Sequence, residues 1–228
     1  IQIMIGDKIL PVHNTTPNVV DLQRTLHQMV EDGVQYAVME VSSHALDQGR
    51  ISGCEFDTAV FTNLTQDHLD YHKTMENYRD AKAKLFDMLG GPGLKPGKTA
   101  VVNIDDAAGA YMLEHAACEH ITYAVESEEA NLRAVEVRVR QTGASLAVQG
   151  SFGRIKLNLH ITGMFNIYNV LGAVGAAVAE NVPVNIIEQA LENFMGVPGR
   201  FELVDCGQPF AVVVDYAHTP DGLENILR

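Results

Sequence analysis

Residues 56–72 read FDTAVFTNLTQDHLDYH. Phe56 to Leu64 is an apolar run of the kind that forms a strand buried on both faces of a parallel sheet. At Asn63 the apolar character breaks off, and Asp67, His68, Asp70 and His72 fall within six residues. Ligands of open α/β sheets bind beyond the carboxyl ends of the strands, where this polar cluster would lie. A second run, VQYAVMEV at 34–41, ends in the same way, with Glu40 followed by Ser42, Ser43 and His44. Two strands are therefore expected to deliver a carboxylate and an imidazole to one edge of a sheet. That pairing suits a divalent cation with phosphate, and it predicts an enzyme.

Composition narrows the classes. The 228 residues suffice for one large domain or one and a half ordinary ones, and 46% hydrophobic content is ample for a core. A formal net charge of −13 argues against broad binding to nucleic acid or an anionic membrane, while leaving room for a local cationic pocket. No apolar stretch reaches the roughly 18–20 residues of a membrane helix, and the GDK turn at 6–8 interrupts any signal peptide. Cys54, Cys118 and Cys206 are widely spaced and form no CxxC pair. Small buried filler in a reduced, cytoplasmic compartment is expected of them, not disulfides or a zinc site. A first residue of Ile fits a piece of a longer protein.

Along the chain, residues 1–10 read as a hairpin. A helix is expected to start at Thr16–Pro17 and run through Leu22, Leu26, Met29 and Val30 to Gly33. After strands 34–41 and 56–64 comes a helix from Met75 to Leu89, a strand at 99–105 and a helix at 107–118. Between about 121 and 160 the segments ITYAV, LRAVEVRVR, SLAVQG and RIKLNLH alternate apolar with polar residues, predicting an antiparallel sheet with one wet face. Helical patterns return at 166–180 and 185–194. VPGR then breaks the chain, and FELVD, AVVVD and a helix from near Thr219 read as the start of another domain. The expected class is α/β: a mostly parallel sheet with helices on both faces, a small antiparallel β part, and the beginning of a carboxy-terminal α/β domain. The expected boundaries are 1–196 and 197–228.

Individual residues carry more than one reading. Glu40 ends a hydrophobic strand, as do carboxylates that hold magnesium, though a strand-end acid can simply be solvated. His68 could be a ligand, a hydrogen-bonded structural residue or a surface one; Asp70 and His72 could face solvent. Lys82 is sharper. At about 100° per residue, Tyr78, Leu85 and Leu89 share one face of the 75–89 helix, and Lys82 falls about 40° from Tyr78. A lysine there must snorkel outward, find a partner or be chemically altered. Lys84 points to the opposite side and serves as the internal control. Asn166 and Asn169 open an alanine-rich helix and could be caps or contacts. Arg200, Asp215 and His218 lie at turn-rich strand ends.

GGPGLKPGKT at 90–99 nearly spells a phosphate-binding GxxxxGK[ST] loop, but Pro92 and Pro96 are wrong for it and the segment runs from helix to strand. An ordinary connector is expected there.

Taken together, NTTP (14–17), MEVSSHALDQGR (39–50), FTNLTQDHLDYH (61–72), YRDAKAKLF (78–86), GMFNIYNVLGA (163–173), VPGRFE (197–202) and VDYAHTPDGLENIL (214–227) resemble the Mur ligases of peptidoglycan synthesis. Among them they are most similar to the UDP-N-acetylmuramoyl-tripeptide synthetases (MurE), which add the third stem amino acid. The resemblance covers nearly the whole chain. It implies the central domain of a three-domain ligase whose GTNGKT-type phosphate loop, UDP-binding domain and most of whose carboxy-terminal domain lie outside residues 1–228, so that the piece alone is expected to be inactive.

By motif, the resemblance implies that Asn14, Thr15, Thr16, Ser42, Gln48 and Arg50 contact UDP-MurNAc-dipeptide. It implies that Glu40 and His68 hold Mg2+ beside a carbamylated Lys82, and that Asn166, Asn169, Arg200, Asp215 and His218 line an ATP site. The implied reaction is ATP-dependent amide formation through an acyl phosphate, adding meso-diaminopimelate or L-lysine, by a monomeric cytoplasmic enzyme with no nucleic-acid or membrane partner. A folylpolyglutamate-synthase-like ligase and a metal-dependent phosphohydrolase using Glu40, Asp67 and His68 are the competing readings.

Overall fold

A computed structural model describes residues 2–12, 14–91, 93, 95–204 and 206–227. Pro92 and Leu94 of the expected connector lie outside them, as do Ile1, His13, Asp205 and Arg228. In chain order the elements are β1 (Ile3–Ile5), β2 (Lys8–Leu10), α1 (Val19–Glu31), α2 (Ser43–Asp47), β3 (Thr58–Phe61), α3 (Leu69–His72), α4 (Met75–Gly90), β4 (Thr99–Asn103) and α5 (Gly109–His115). They continue with β5 (Glu119–Ala124), β6 (Leu132–Arg140), β7 (Gly143–Gly150), β8 (Gly153–Leu159), α6 (Met164–Ala179), α7 (Val184–Glu192), β9 (Glu202–Leu203), β10 (Val213–Val214) and α8 (Pro220–Leu227).

One six-stranded sheet, ordered β3-β4-β5-β6-β7-β8, organises the chain. The β3–β4, β4–β5 and β5–β6 pairs are parallel, whereas β6–β7 and β7–β8 are antiparallel hairpins. The alternating region is thus continuous with the parallel sheet. Its first segment, ITYAV, is parallel to both neighbours, contrary to the all-antiparallel expectation; only its pairing partners, not its pattern, could decide that.

Helices cover both faces. Phe86 and Leu89 of α4 and Met112 of α5 pack on Ala59, Phe61, Ala100 and Val102. On the other face, Ile167, Val170, Leu171 and Val174 of α6 pack on Val101, Tyr123, Leu132 and Val148. All five residues of β4 are buried, as an unbroken apolar strand requires. Close packing uses small residues: a Cβ on Gly175 would stand 2.5 Å from Val101 Cγ1, and one on Gly109 would stand 2.3 Å from the Asn103 carbonyl oxygen.

Three expectations need correction. Residues 34–41 join no ladder among the described residues, and Val38 is 97% exposed. An extended apolar run becomes a strand only when its N–H and C=O groups find a neighbour, and local pattern cannot supply one. α1 starts at Val19, two residues beyond Pro17: Asn18 is the cap, its Oδ1 accepting from Asp21 N at 3.0 Å. Cys54 and Cys118 are half-buried against core clusters, as small filler would be, whereas Cys206 is exposed and is not; all three are free.

Candidate functional site

The site is built around α4. Thr74 caps this helix by accepting from Asn77 N at 3.2 Å, and Tyr78, Phe86 and Leu89 bury its inner face. Lys82 projects from that face, half-buried, with Nζ 5.1 Å from the Tyr78 ring centroid. Among the described residues no carboxylate comes within ion-pair distance of it. Burial pulls the Lys82 amine below the usual lysine range, against the opposing fields of Glu40, Asp106 and Asp67. Burial also pushes the Tyr78 hydroxyl up to about 12, reinforced by Asp67. Lys84 lies on the outer side, exposed, and reaches Asp47 Oδ1 at 2.6 Å.

The turn after β3 places His68. Its φ of 55° is uncommon for a residue with a Cβ. That geometry lets its N–H donate to Asp67 Oδ1 at 2.7 Å while its ring Nδ1 stands 3.5 Å from the same oxygen. The ring meets His44 and Tyr78 edge-on, at 4.9 and 5.9 Å. His72, expected to be able to face solvent, is instead buried. It stacks on Tyr78 at 5.1 Å and lies 2.9 Å from Ser43 Oγ. Burial, then the neighbouring His44, holds its imidazole below the ordinary histidine value.

Residues 14–50 converge on the same rim. Thr16 is fully buried: its hydroxyl donates to the Glu40 carbonyl at 2.9 Å and accepts from Ser42 N at 3.0 Å. Ser42 Oγ caps α2 by accepting from Ala45 N at 3.2 Å. Arg50 donates to the Thr16 carbonyl at 3.2 Å and, through Nε and Nη2, to Gln48 Oε1 at 2.9 and 2.6 Å. Its guanidinium therefore meets amide and carbonyl oxygens there, not a carboxylate. Asn14 is exposed, Thr15 and Glu40's neighbour Val41 are half-buried, and Glu40 itself is exposed.

Asp105 and Asp106 were not singled out from the sequence, though they follow β4 within three residues, much as Glu40 ends its own apolar run. Burial raises the Asp105 carboxyl. The N–H groups of Glu126, Val125 and Ser127 and the Tyr168 hydroxyl outweigh that and leave it below the carboxylate norm. Asp106 accepts from Leu64 N at 2.9 Å and Ala108 N at 2.8 Å, tying the β3 and β4 ends together beside Lys82. The strand-end rule applied to β4 would have found both.

The remaining candidates gather elsewhere. Gly163, φ 92°, precedes α6, and Asn166 is no cap: it donates to the Thr162 carbonyl at 2.8 Å and accepts from Asn169 at 3.2 Å. Asp215 accepts from Phe201 N and Ala217 N, each at 2.6 Å; Arg200 lies over the Tyr216 ring at 4.6 Å; exposed His218 turns Nδ1 to the Tyr216 carbonyl at 2.9 Å. The Phe165–Phe201 ring contact, 5.7 Å, joins these two groups.

No three His, Cys, Asp or Glu among the described residues form a closed metal cage. What the rim offers is sparse hard oxygen donors, Glu40, Asp67 and Asp106, with the imidazole of His68 beside those of His44 and His72. That donor set fits Mg2+, which takes one or two protein carboxylates and completes its shell with water and phosphate.

Residues 1–177 match the family model described as Mur ligase middle domain. Over 228 residues the chain is 51% identical to the UDP-N-acetylmuramoyl-L-alanyl-D-glutamate–2,6-diaminopimelate ligase of Bacillus velezensis, covering 99% of the chain and 46% of that protein. A solved structure of a ligase of the same name superposes with a TM-score of 0.80 at 33% identity, covering 99% of this chain and 47% of that one. MurF from Acinetobacter baumannii, 21% identical with a TM-score of 0.75 over 90% of this chain and 44% of its own, shares the fold. The chain thus spans about half the length of the curated relatives it matches.

Proposed function

Because the chain belongs to the Mur ligase family, we propose that the protein containing it is an ATP-dependent ligase joining 2,6-diaminopimelate to UDP-MurNAc-L-Ala-D-Glu. The choice of diamino acid rests on the relatives' names. Residues 1–196 act as the ATPase domain and 197–228 begin the ligase domain. The observation that carries the reading is Lys82, half-buried with no ion pair among the described residues yet within the fields of Glu40, Asp67 and Asp106. A lowered amine pKa enlarges the neutral fraction that can add to CO2, forming an N–C bond and releasing a proton, so that a cation becomes an anion.

Glu40, His68 and the Lys82 carbamate would hold Mg2+, which when bound offsets repulsion between the substrate carboxylate and ATP. Arg50, fixed by Gln48 and the Thr16 carbonyl, offers its guanidinium to the acidic substrate, with Asn14, Thr15 and Ser42 alongside. Thr16, with its hydroxyl committed to the 40–42 backbone, contributes by holding that segment. Asn166, Asn169, Arg200, Asp215 and His218 contact ATP. The substrate carboxylate attacks the γ-phosphate with loss of ADP. The incoming amine then attacks the acyl carbon, losing a proton as phosphate departs.

The test is phosphate release by the full-length protein. Release is expected only when ATP, UDP-MurNAc-dipeptide and diaminopimelate are all present. Equal release without the amine would replace the ligase with a phosphohydrolase.

A further inference from the structure

Tyr71 ties the substrate side of the rim to the metal side. Its half-buried ring lies 4.2 Å from the His44 ring and 4.8 Å from that of His72. Its hydroxyl donates to Asp47 Oδ2 at 2.9 Å and accepts from Gln48 Nε2 at 3.4 Å. Asp47 ends α2 and Gln48 caps it. Gln48 in turn holds the Arg50 guanidinium through its other amide atom. One phenol on α3, three residues past His68, therefore reaches the two residues that orient Arg50.

We propose that Tyr71 is a positioning residue for the acidic substrate. Its hydroxyl fixes the Gln48 amide in the orientation that presents Oε1 to Arg50, which sets where the guanidinium meets the substrate carboxylate or phosphate. The proposal rests on the ligase reading for its substrate, and on geometry alone for the positioning. An amide has two ends: once Nε2 loses the phenol oxygen, Gln48 can rotate and offer Arg50 an N–H in place of an acceptor. Asp47 keeps Lys84 on its other oxygen, so α2 retains one tie to α4 while its carboxyl-terminal turn, Gln48 to Arg50, loses the one that Tyr71 supplies. Tyr71→Phe removes the hydroxyl and retains both ring contacts.

A matched control exists in the same fold. Tyr111, also half-buried, donates its hydroxyl to Asp80 Oδ1 at 2.9 Å. In the full-length protein, Tyr71→Phe is expected to raise KM for UDP-MurNAc-dipeptide by about three- to tenfold, the scale of one lost hydrogen bond. Its kcat and its KM for ATP should stay within about twofold, and Tyr111→Phe should move neither constant. An unchanged dipeptide KM, or a fall in kcat alone, overturns the proposal.

Amide hydrogen exchange on the same variants reads the positioning without turnover. Tyr71→Phe should speed exchange at Gln48, Gly49 and Arg50, whose N–H groups bond to His44, Leu46 and Ala45, with Tyr111→Phe silent there. Unchanged exchange at those three sites also overturns it. A wild type that fails to ligate while Tyr71→Phe still loosens 48–50 would sink the ligase reading and leave the positioning role standing.

Discussion

Two buried or half-buried lysines stand near opposite ends of the same strand, β4. Lys98 immediately precedes β4; its side chain is 8% exposed and its ammonium meets Glu55 at 3.1 Å. Lys82 lies near the other end of β4, beside Asp106, and meets three carboxylates only at longer range. Direct pairing makes Lys98 a structural cation that the fold has satisfied. Among the described residues Lys82 has no carboxylate in contact, only the Tyr78 ring at 5.1 Å and longer-range fields that do not offset its burial, a state that favours chemistry over stability.

The contrast breaks most decisively through activity. Lys82→Ala in the full-length protein is expected to cut ligation at least a hundredfold, the scale of losing one group that stabilises developing charge. Short carboxylic acids added to that variant should restore part of the rate. Wild-type turnover would remove Lys82 from the mechanism.

Stability should then separate the two lysines by sign. Lys98→Met leaves Glu55 without its buried cation and should cost about 1–3 kcal/mol by urea denaturation, with ligation intact in the folded fraction. Measured free of CO2 and Mg2+, where Lys82 carries no carbamate, Lys82→Met removes an ammonium that burial penalises and should be neutral or stabilising, by up to about 1 kcal/mol. That gain depends on pH. Because the folded-state pKa of Lys82 lies below its ordinary 10.5, the unfolded chain binds more protons as pH falls through that range, and the wild type loses stability. The advantage of Lys82→Met should therefore be full at neutral pH and shrink as pH climbs toward 10.5. An advantage that grew with pH would mean that the carboxylates, not burial, control the amine.

The smallest effect belongs to Lys84. Its pair with Asp47 is short, but the two side chains are 47% and 40% exposed, so solvent screens it. Lys84→Ala should change stability by a few tenths of a kcal/mol and ligation by less than about twofold, below the shift expected of Tyr71→Phe.

Local rules located α4, β4 and α6 because each follows from its own apolar period or run. They also singled out Lys82, whose angular position on a helix is fixed by spacing alone. They failed for 34–41, which needed a neighbouring strand, and for ITYAV, whose parallel pairing depends on β4 and β6. His72 was misjudged for a related reason: burial there comes from Tyr78 and Ser43, six residues ahead and twenty-nine behind. Asp106 was within reach of the same strand-end argument that found Glu40.

Sequence by itself determined the order of elements, the apolar faces, the lysine set into one of them, and the family. Tertiary structure alone decided which acids surround that lysine, that Thr16 spends its hydroxyl on the 40–42 backbone, and that Tyr71 links Gln48 to the histidine-bearing turn. Helical phase and hydrophobic period are local properties of a chain. Field, burial and hydrogen-bond partnership depend on atoms that only folding brings within a few ångströms.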